Sequence, residues 1–327
     1  MTKTKVLLAF GSHRGTYDTF PVRGNRRFFR QAVVPFIEEN VEKEGARAAI
    51  IHDCVCHNWL RPPLDDIKVE IIKKNLKHEE IDSARIEGVI KEYERQIPIL
   101  EEQSRKLLGL MNEETRGMTA WGFETAVRRI NRRNPNQIIH FIEPQEIASV
   151  SLDLEEDVQR TISMLTDDYE TAIDCIVKFI KALAMETIYR DKGVVALADK
   201  LMTEDPEMVI IIPRGWAHKG MATLFDRKKY DITIAEEQNK NVPFAIEAAL
   251  RYYNLDFDER NLRRYAILEH DANEFLEKKG LWFFLTHASV LVSRRLFRYT
   301  IDGFIKKARK YAISKNPEVA EELGLSE

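Results

Sequence analysis

A loop with basic and imidazole side chains follows a short apolar run in this sequence. The loop is Arg214-Gly-Trp-Ala-His-Lys-Gly220, and the run before it, Glu207–Pro213, is short enough for a strand and too short for a free-standing helix. A helix-length stretch and a second apolar run, Tyr230–Ile234, come next, so the segment predicts a strand–loop–helix–strand unit with parallel strands. Because ligands of open α/β sheets bind beyond the carboxyl ends of the strands, this loop is a predicted functional site.

Four histidines lie inside or just after predicted strands: His13, His52, His140 and His218. Adjacent strands lie about 4.8 Å apart, so the ends of neighbouring parallel strands fall close together. We therefore expect His13, His52 and His218 to converge on one crevice, together with Asp53, which follows the second of them. Imidazole and carboxylate groups are suitable ligands for zinc, manganese or iron, and they are equally suitable acid–base groups near neutral pH.

Each of these histidines also has a structural interpretation, because most histidines in proteins are hydrogen-bonded structural residues. We prefer that interpretation for His140, which lies between Ile139 and Phe141. For His13 and His218 a functional role is favoured, since both occupy strand-end loops beside a glycine and a basic residue.

Arginines near the predicted site raise the question of an anionic partner. Arg14 and Arg214 each adjoin a candidate loop. Arg128 is one of several arginines spaced four residues apart on the helix predicted over 121–133, and each such like-charge pair costs about 0.2–0.5 kcal/mol. A bound carboxylate or phosphate would offset that repulsion, and ion pairs with side chains such as Glu124 are the plainer alternative.

Composition excludes several classes of protein. The chain has 327 residues, of which 44% are hydrophobic and 31% charged, which is typical of a globular protein. The net charge of −3 gives no bulk electrostatic case for nucleic acid, and no apolar run has the length of a membrane span. Only three cysteines occur, an odd and sparse set that is typical of the reducing cytoplasm, where we expect the protein. Walker, G-x-G-x-x-G, G-x-S-x-G and HExxH motifs are all missing from the sequence.

The order of the apolar runs predicts an α/β fold with a mostly parallel central sheet flanked by helices. Strands are expected at residues 5–10, 47–51, 137–142, 207–213 and 230–234. Helices are expected at 28–44, 121–133, 243–253, 259–279 and 282–311, and two or three helices at 152–203, with Gly193 near the start of one of them. We expect a single α/β domain over residues 1–327, with a mainly helical insertion at 64–133 and a C-terminal helical segment at 259–327.

Several short stretches together resemble one superfamily. They are Leu7–His13 and Val209–His218, each similar to a strand with a glycine–histidine motif, and Phe123–Asn134 and Glu186–Arg190, each similar to an arginine-containing helix. In these short stretches, which are spread over nearly its whole length, the chain resembles the superfamily that includes the erythromycin esterases, the haem-binding ChaN proteins, and the TraB and Tiki proteins. It departs from that group at Phe10 and Gly11 in the first motif, and at the end of the second strand, where the superfamily usually has glutamate.

The resemblance implies a hydrolase that acts on a small-molecule or peptide substrate, with a divalent transition metal as an optional cofactor. His13, Asp53 and His218 would activate water or bind the metal, and His52 is a fourth candidate metal ligand. A water molecule on such a metal has its pKa lowered to about 7.

The arginines would hold a polar or anionic substrate, with Arg190 and Arg214 first and Arg14 and Arg128 as further candidates.

Two alternatives stay open, because the expected acidic groups are replaced. One is a non-enzymatic protein of the same fold that binds a metal, haem or an anionic metabolite. The other is a helical scaffold whose sheet site is vestigial and whose charged stretch 93–111 contacts a partner. The oligomeric state is not predicted.

Overall fold

A computed structural model of the protein describes most of the chain. The described residues are 3–11, 26–52, 61–77, 79–80, 84–88, 90–92, 94–95, 98–99, 102, 122–144, 147–237, 242–254, 257–279 and 294–325. The chain divides into two compact units. The first unit consists of Met1–Arg61, Lys91–Ile147 and Ile188–Gln238, and the second of Pro62–Ile90, Ala148–Thr187 and Asn239–Glu327.

A parallel sheet is the centre of the first unit. Its strands are β1 (Thr4–Gly11), β2 (Ala48–His52), β3 (Ile138–Ile142), β4 (Val209–Gly215) and β5 (Tyr230–Glu236). They lie in the order β3-β2-β4-β1-β5, and every pair is parallel. The predicted α/β fold is therefore confirmed, with each strand within two residues of its expected bounds.

The helices of the two units follow the predicted periodic segments. They are α1 (Arg26–Ile37), α2 (Arg61–Leu76), α3 (Glu124–Arg133), α4 (Ile147–Leu165), α5 (Tyr169–Glu204), α6 (Phe244–Tyr253), α7 (Glu259–Lys278), α8 (Arg294–Lys315) and α9 (Pro317–Glu322). A π-helix at Glu38–Lys43 continues α1, and a 3₁₀ helix at Trp216–Thr223 connects β4 to β5. No helix within the described ranges combines the length and hydrophobicity that a membrane crossing requires.

The sheet buries a different set of side chains on each face, because alternate residues of a strand point to opposite sides. On one face Leu7, Ile50 and Ile211 pack against α1 and α3. On the other face Leu8 and Ile212 pack against the C-terminal part of α5 and the 3₁₀ helix, together with the other strand residues that point to this side. We call these the α1/α3 face and the α5 face. Strands covered on both sides are nearly continuous in apolar residues, which is the pattern that made them predictable.

Gly193 lies inside α5 and not near the start of a helix, so that expectation was wrong. A glycine in a helix interior costs about 1 kcal/mol relative to alanine. Here the following residues Val194 and Ala198 are fully buried against the sheet, and their burial outweighs that cost.

The second unit is helical in its described parts. Its main core joins the N-terminal part of α5 to α6, α7 and α8 through residues such as Ile176, Phe244, Tyr265 and Ala312. A smaller core joins α2 and α4 through Ile71 and Val158. The helix predicted over 282–311 is described from Arg294 onward.

Candidate functional site

Arg214 is the central residue of a group of buried polar side chains on the α5 face. It occupies the second-last position of β4, alternates with Ile210 and Ile212, and is completely buried. Burial lowers the pKa of its guanidinium to about 9. That value still lies well above neutral pH, so the side chain carries a buried positive charge.

Glu143 supplies the carboxylate that neutralises this charge. It follows β3 directly, and its backbone N–H donates to the carbonyl oxygen of His52 at 2.9 Å, so its position is fixed by the sheet. Its Oε2 lies 2.8 Å from Nη1 of Arg214. Its Oε1 accepts from Nε and Nη2 of Arg190 at 3.1 and 2.6 Å. One fully buried carboxylate therefore binds two guanidinium groups, one from β4 and one from α5.

A histidine–aspartate pair lies beside these ion pairs in the chain. Asp191 follows Arg190 on α5 and is completely buried, and His218 belongs to the 3₁₀ helix after β4. Nδ1 of His218 lies 2.6 Å from Oδ1 of Asp191. A carboxylate oxygen can only accept, so this contact places a proton on Nδ1 of His218, and in the neutral form of the ring the lone pair then lies on Nε2.

A second pair of imidazoles lies on the α1/α3 face. Nε2 of His52 is 2.7 Å from Nδ1 of His140, and the two rings stack with their centroids 5.0 Å apart. Their strands pair in parallel with Ile50 opposite His140, which places both rings on the face of Ile50. Burial lowers the pKa of His140 to about 4. Burial lowers the pKa of His52 well below its ordinary value, and the neighbouring His140 and Arg214 lower it further. Both rings are therefore neutral at neutral pH, and one donates a hydrogen bond to the other.

The structure brings together three of the residues that the sequence singled out. Arg190, Arg214 and His218 lie on the α5 face, linked by Glu143 and Asp191. His52 pairs instead with His140 on the other face. Arg128 lies on α3, which packs against that same α1/α3 face. His13, Arg14 and Asp53 lie outside the described residues.

The other arginines of α3 have ordinary carboxylate partners. Arg129 pairs with Glu38 and Glu42, at 3.3 and 2.6 Å, and Arg133 also pairs with Glu42, at 3.1 Å. These groups are partly exposed, so the pairs contribute at most about 1 kcal/mol each. For these two arginines the ion-pair alternative explains the clustered charge.

The described residues include two of the four predicted metal ligands. Of the four, His52 and His218 are described, and each already has a ring nitrogen in a hydrogen bond to another side chain. Within the described ranges, no group of three or more His, Cys, Asp or Glu side chains has an arrangement that could hold a metal ion. The described residues therefore do not fit a metal site, and we derive no chemical step through a metal.

Glu143 and Asp191 are the two site residues that the sequence reasoning missed. Glu143 had a usable signal, because it stands directly after the predicted strand 137–142 and the same strand-end argument applies to it. Asp191 had no comparable signal, since it is one acidic residue among many on a long helix.

Comparison with known proteins adds no further identification. No family model matches the chain, and no curated protein and no solved structure matches it. The argument for function therefore depends on the geometry of the α5 face.

Proposed function

We propose that the protein is a hydrolase in which His218 acts as the general base on a polar or anionic substrate, either a small molecule or a peptide. The observation that supports this proposal is the 2.6 Å contact between Nδ1 of His218 and Oδ1 of Asp191. It occurs just beyond the carboxyl end of β4, which is the usual location of sites in parallel sheets.

The proposed reaction uses the imidazole twice. Nε2 of neutral His218 takes a proton from a water molecule while the water oxygen attacks the carbonyl or phosphoryl centre of the substrate. Asp191 stabilises the imidazolium that forms. The imidazolium then returns the proton to the leaving group as the scissile bond breaks, so the base is regenerated. A general base of this kind accelerates a reaction by about 10²- to 10⁴-fold.

The charges beside the base support a negatively charged reaction partner. Arg190 and Arg214 both contact the carboxylate of Glu143 and lie on the same face of the sheet as the base. Guanidinium groups held in place in this way favour negative charge on a bound substrate or on a developing oxyanion.

A second candidate function is non-catalytic binding of an anionic metabolite by the same arginines. The burial of Arg214 favours it, because a buried guanidinium is also a common anion-binding group. Binding of a divalent transition metal or haem remains part of this second candidate. Metal analysis and absorption spectroscopy of the purified protein test whether a metal or haem is bound.

The test of the main proposal is a screen of ester, peptide and phosphoester substrates with the wild-type protein, His218→Ala and Asp191→Asn. The matched control is Asp199→Asn, because Asp199 also lies on α5, eight residues from Asp191, and accepts a hydrogen bond from the hydroxyl group of Tyr230 at 2.7 Å. Eight residues are about 12 Å of helix, so the control is distant from the base.

We expect both site variants to lose at least about 100-fold in kcat while the control keeps wild-type activity. Full activity in folded His218→Ala would refute the proposal. A wild-type protein that binds anions and hydrolyses none of these substrates would favour the second candidate.

A further inference from the structure

Glu143 connects two parts of the site that lie far apart in the sequence. Its carboxylate contacts Arg190 of α5 and Arg214 of β4, and its backbone is held by the sheet. Arg190 is followed directly by Asp191, whose carboxylate contacts His218. His218 follows Arg214 by only four residues. These contacts therefore link four elements in a closed circuit. Glu143 at the end of β3 contacts α5, Asp191 of α5 contacts the 3₁₀ helix, the 3₁₀ helix follows β4 in the chain, and Arg214 of β4 contacts Glu143 again.

We infer that Glu143 is a positioning residue for the His218 base. It acts through Arg190, since this contact fixes the turn of α5 that carries Asp191. With Asp191 fixed, its Oδ1 holds Nδ1–H of the imidazole and keeps the ring in a single tautomer. The role belongs to the hydrolase proposed above and rests on that proposal.

The charges explain why a neutral residue could not replace Glu143 in this role. Without the carboxylate of Glu143, Arg190 and Arg214 would keep their positive charges and lose the buried carboxylate that they share. Asp191 is the neighbouring buried carboxylate on α5, and the guanidinium groups, having lost the carboxylate of Glu143, would attract it more strongly. Asp191 would then be drawn from His218, and the imidazole would lose the partner that sets its tautomer.

A purely structural ion pair predicts a different result. Loss of such a pair lowers the free energy of unfolding and leaves the tautomer of a neighbouring histidine unchanged in the folded protein. The tautomer of His218 therefore distinguishes positioning from stabilisation.

The experiment is a long-range ¹H–¹⁵N correlation spectrum of protein labelled with ¹⁵N-histidine, recorded for the wild type, Glu143→Gln, Glu143→Asp and Asp199→Asn. Signals of His218 are assigned from their loss in His218→Gln. We expect the wild type and Asp199→Asn to show the Nδ1–H tautomer, and Glu143→Gln to show a mixture with the Nε2–H form. Glu143→Asp keeps the charge but is one methylene shorter, so it should contact one guanidinium only and give an intermediate result.

Thermal unfolding of each variant shows that the spectra come from folded protein. If Glu143→Gln does not fold, Glu143→Asp decides the question, and a fully retained Nδ1–H signal in either folded variant overturns the inference. A wild-type spectrum that shows only the Nε2–H form overturns it as well.

The hydrolysis assay separates this inference from the proposed function. With an active wild type, we expect kcat of Glu143→Gln to fall about 100-fold with a smaller change in KM, because a small misplacement of a catalytic group has an effect of that size. An inactive wild type with the expected tautomer change would refute the hydrolase and leave the positional link from Glu143 to His218 standing.

Discussion

Nη1 of Arg214 lies 2.8 Å from Oε2 of Glu143, and both side chains are completely buried. A buried ion pair of this kind need not make the protein more stable than two apolar residues at the same positions would, because both charges lose their hydration on folding. Removal of only one of the two charged side chains is costly, because the other charge stays buried without this partner. Contacts to a second guanidinium and to the sheet backbone hold the pair in place.

Replacement of one member of this pair should therefore be strongly destabilising. We expect Arg214→Gln to lower the free energy of unfolding by about 3–5 kcal/mol, measured by urea denaturation at pH 7. Arg129→Gln is the matched control, because its partners Glu38 and Glu42 are partly exposed, and it should cost less than about 1 kcal/mol. The double variant Glu143→Gln/Arg214→Gln should cost less than the sum of the two single changes. Equal losses in Arg214→Gln and Arg129→Gln would contradict the buried-pair interpretation.

The buried imidazole pair makes stability depend on pH. His52 and His140 have folded-state pKa values below the ordinary value of 6.5, with His140 at about 4, so the unfolded chain binds more protons than the folded protein between these pH values. The contribution of each ring to the free energy of unfolding should be present above about pH 6.5 and fall as the pH is lowered towards about 4, by up to about 1.4 kcal/mol per pH unit. Urea denaturation at pH 7, 6 and 5 measures this slope.

His140→Phe provides the comparison for that slope. It removes one of the two neutral imidazoles and keeps an aromatic ring of similar size on the same face. The loss of stability between pH 7 and pH 5 should be smaller in this variant than in the wild type. An identical loss in both proteins would show that other groups, and not this pair, dominate the acid response.

The fold was predictable because its signals are local. The runs Ala48–Ile51 and Val209–Pro213 are continuously apolar, so the sequence places both strands to within two residues. The contacts of Glu143 were not predictable, since they require β3, α5 and β4 to meet in three dimensions. The position of His52 also depended on the alternation of strand faces, which turns its ring towards His140 and away from the α5 face.

Two glycines should respond in opposite ways to the same substitution. A Cβ atom added to Gly11 at the end of β1 would lie 2.8 Å from Cδ1 of Phe28 and 2.9 Å from Cε2 of Phe29. The ring of Phe29 is completely buried and packs against its neighbour, so it cannot move aside freely. Gly11→Ala should therefore lower the free energy of unfolding by about 1–3 kcal/mol.

Gly303 lies in the interior of α8, and no atom of the described residues lies within 4 Å of the position of an added Cβ atom. Alanine has the higher helix propensity and restricts the unfolded chain, so Gly303→Ala should raise the free energy of unfolding by about 0.4–1 kcal/mol. Urea denaturation of the two alanine variants beside the wild type checks both signs in one experiment. A stabilised Gly11→Ala would show that the close packing of β1 on α1 is wrong, whereas a destabilised Gly303→Ala would show that α8 packs against a surface at this position.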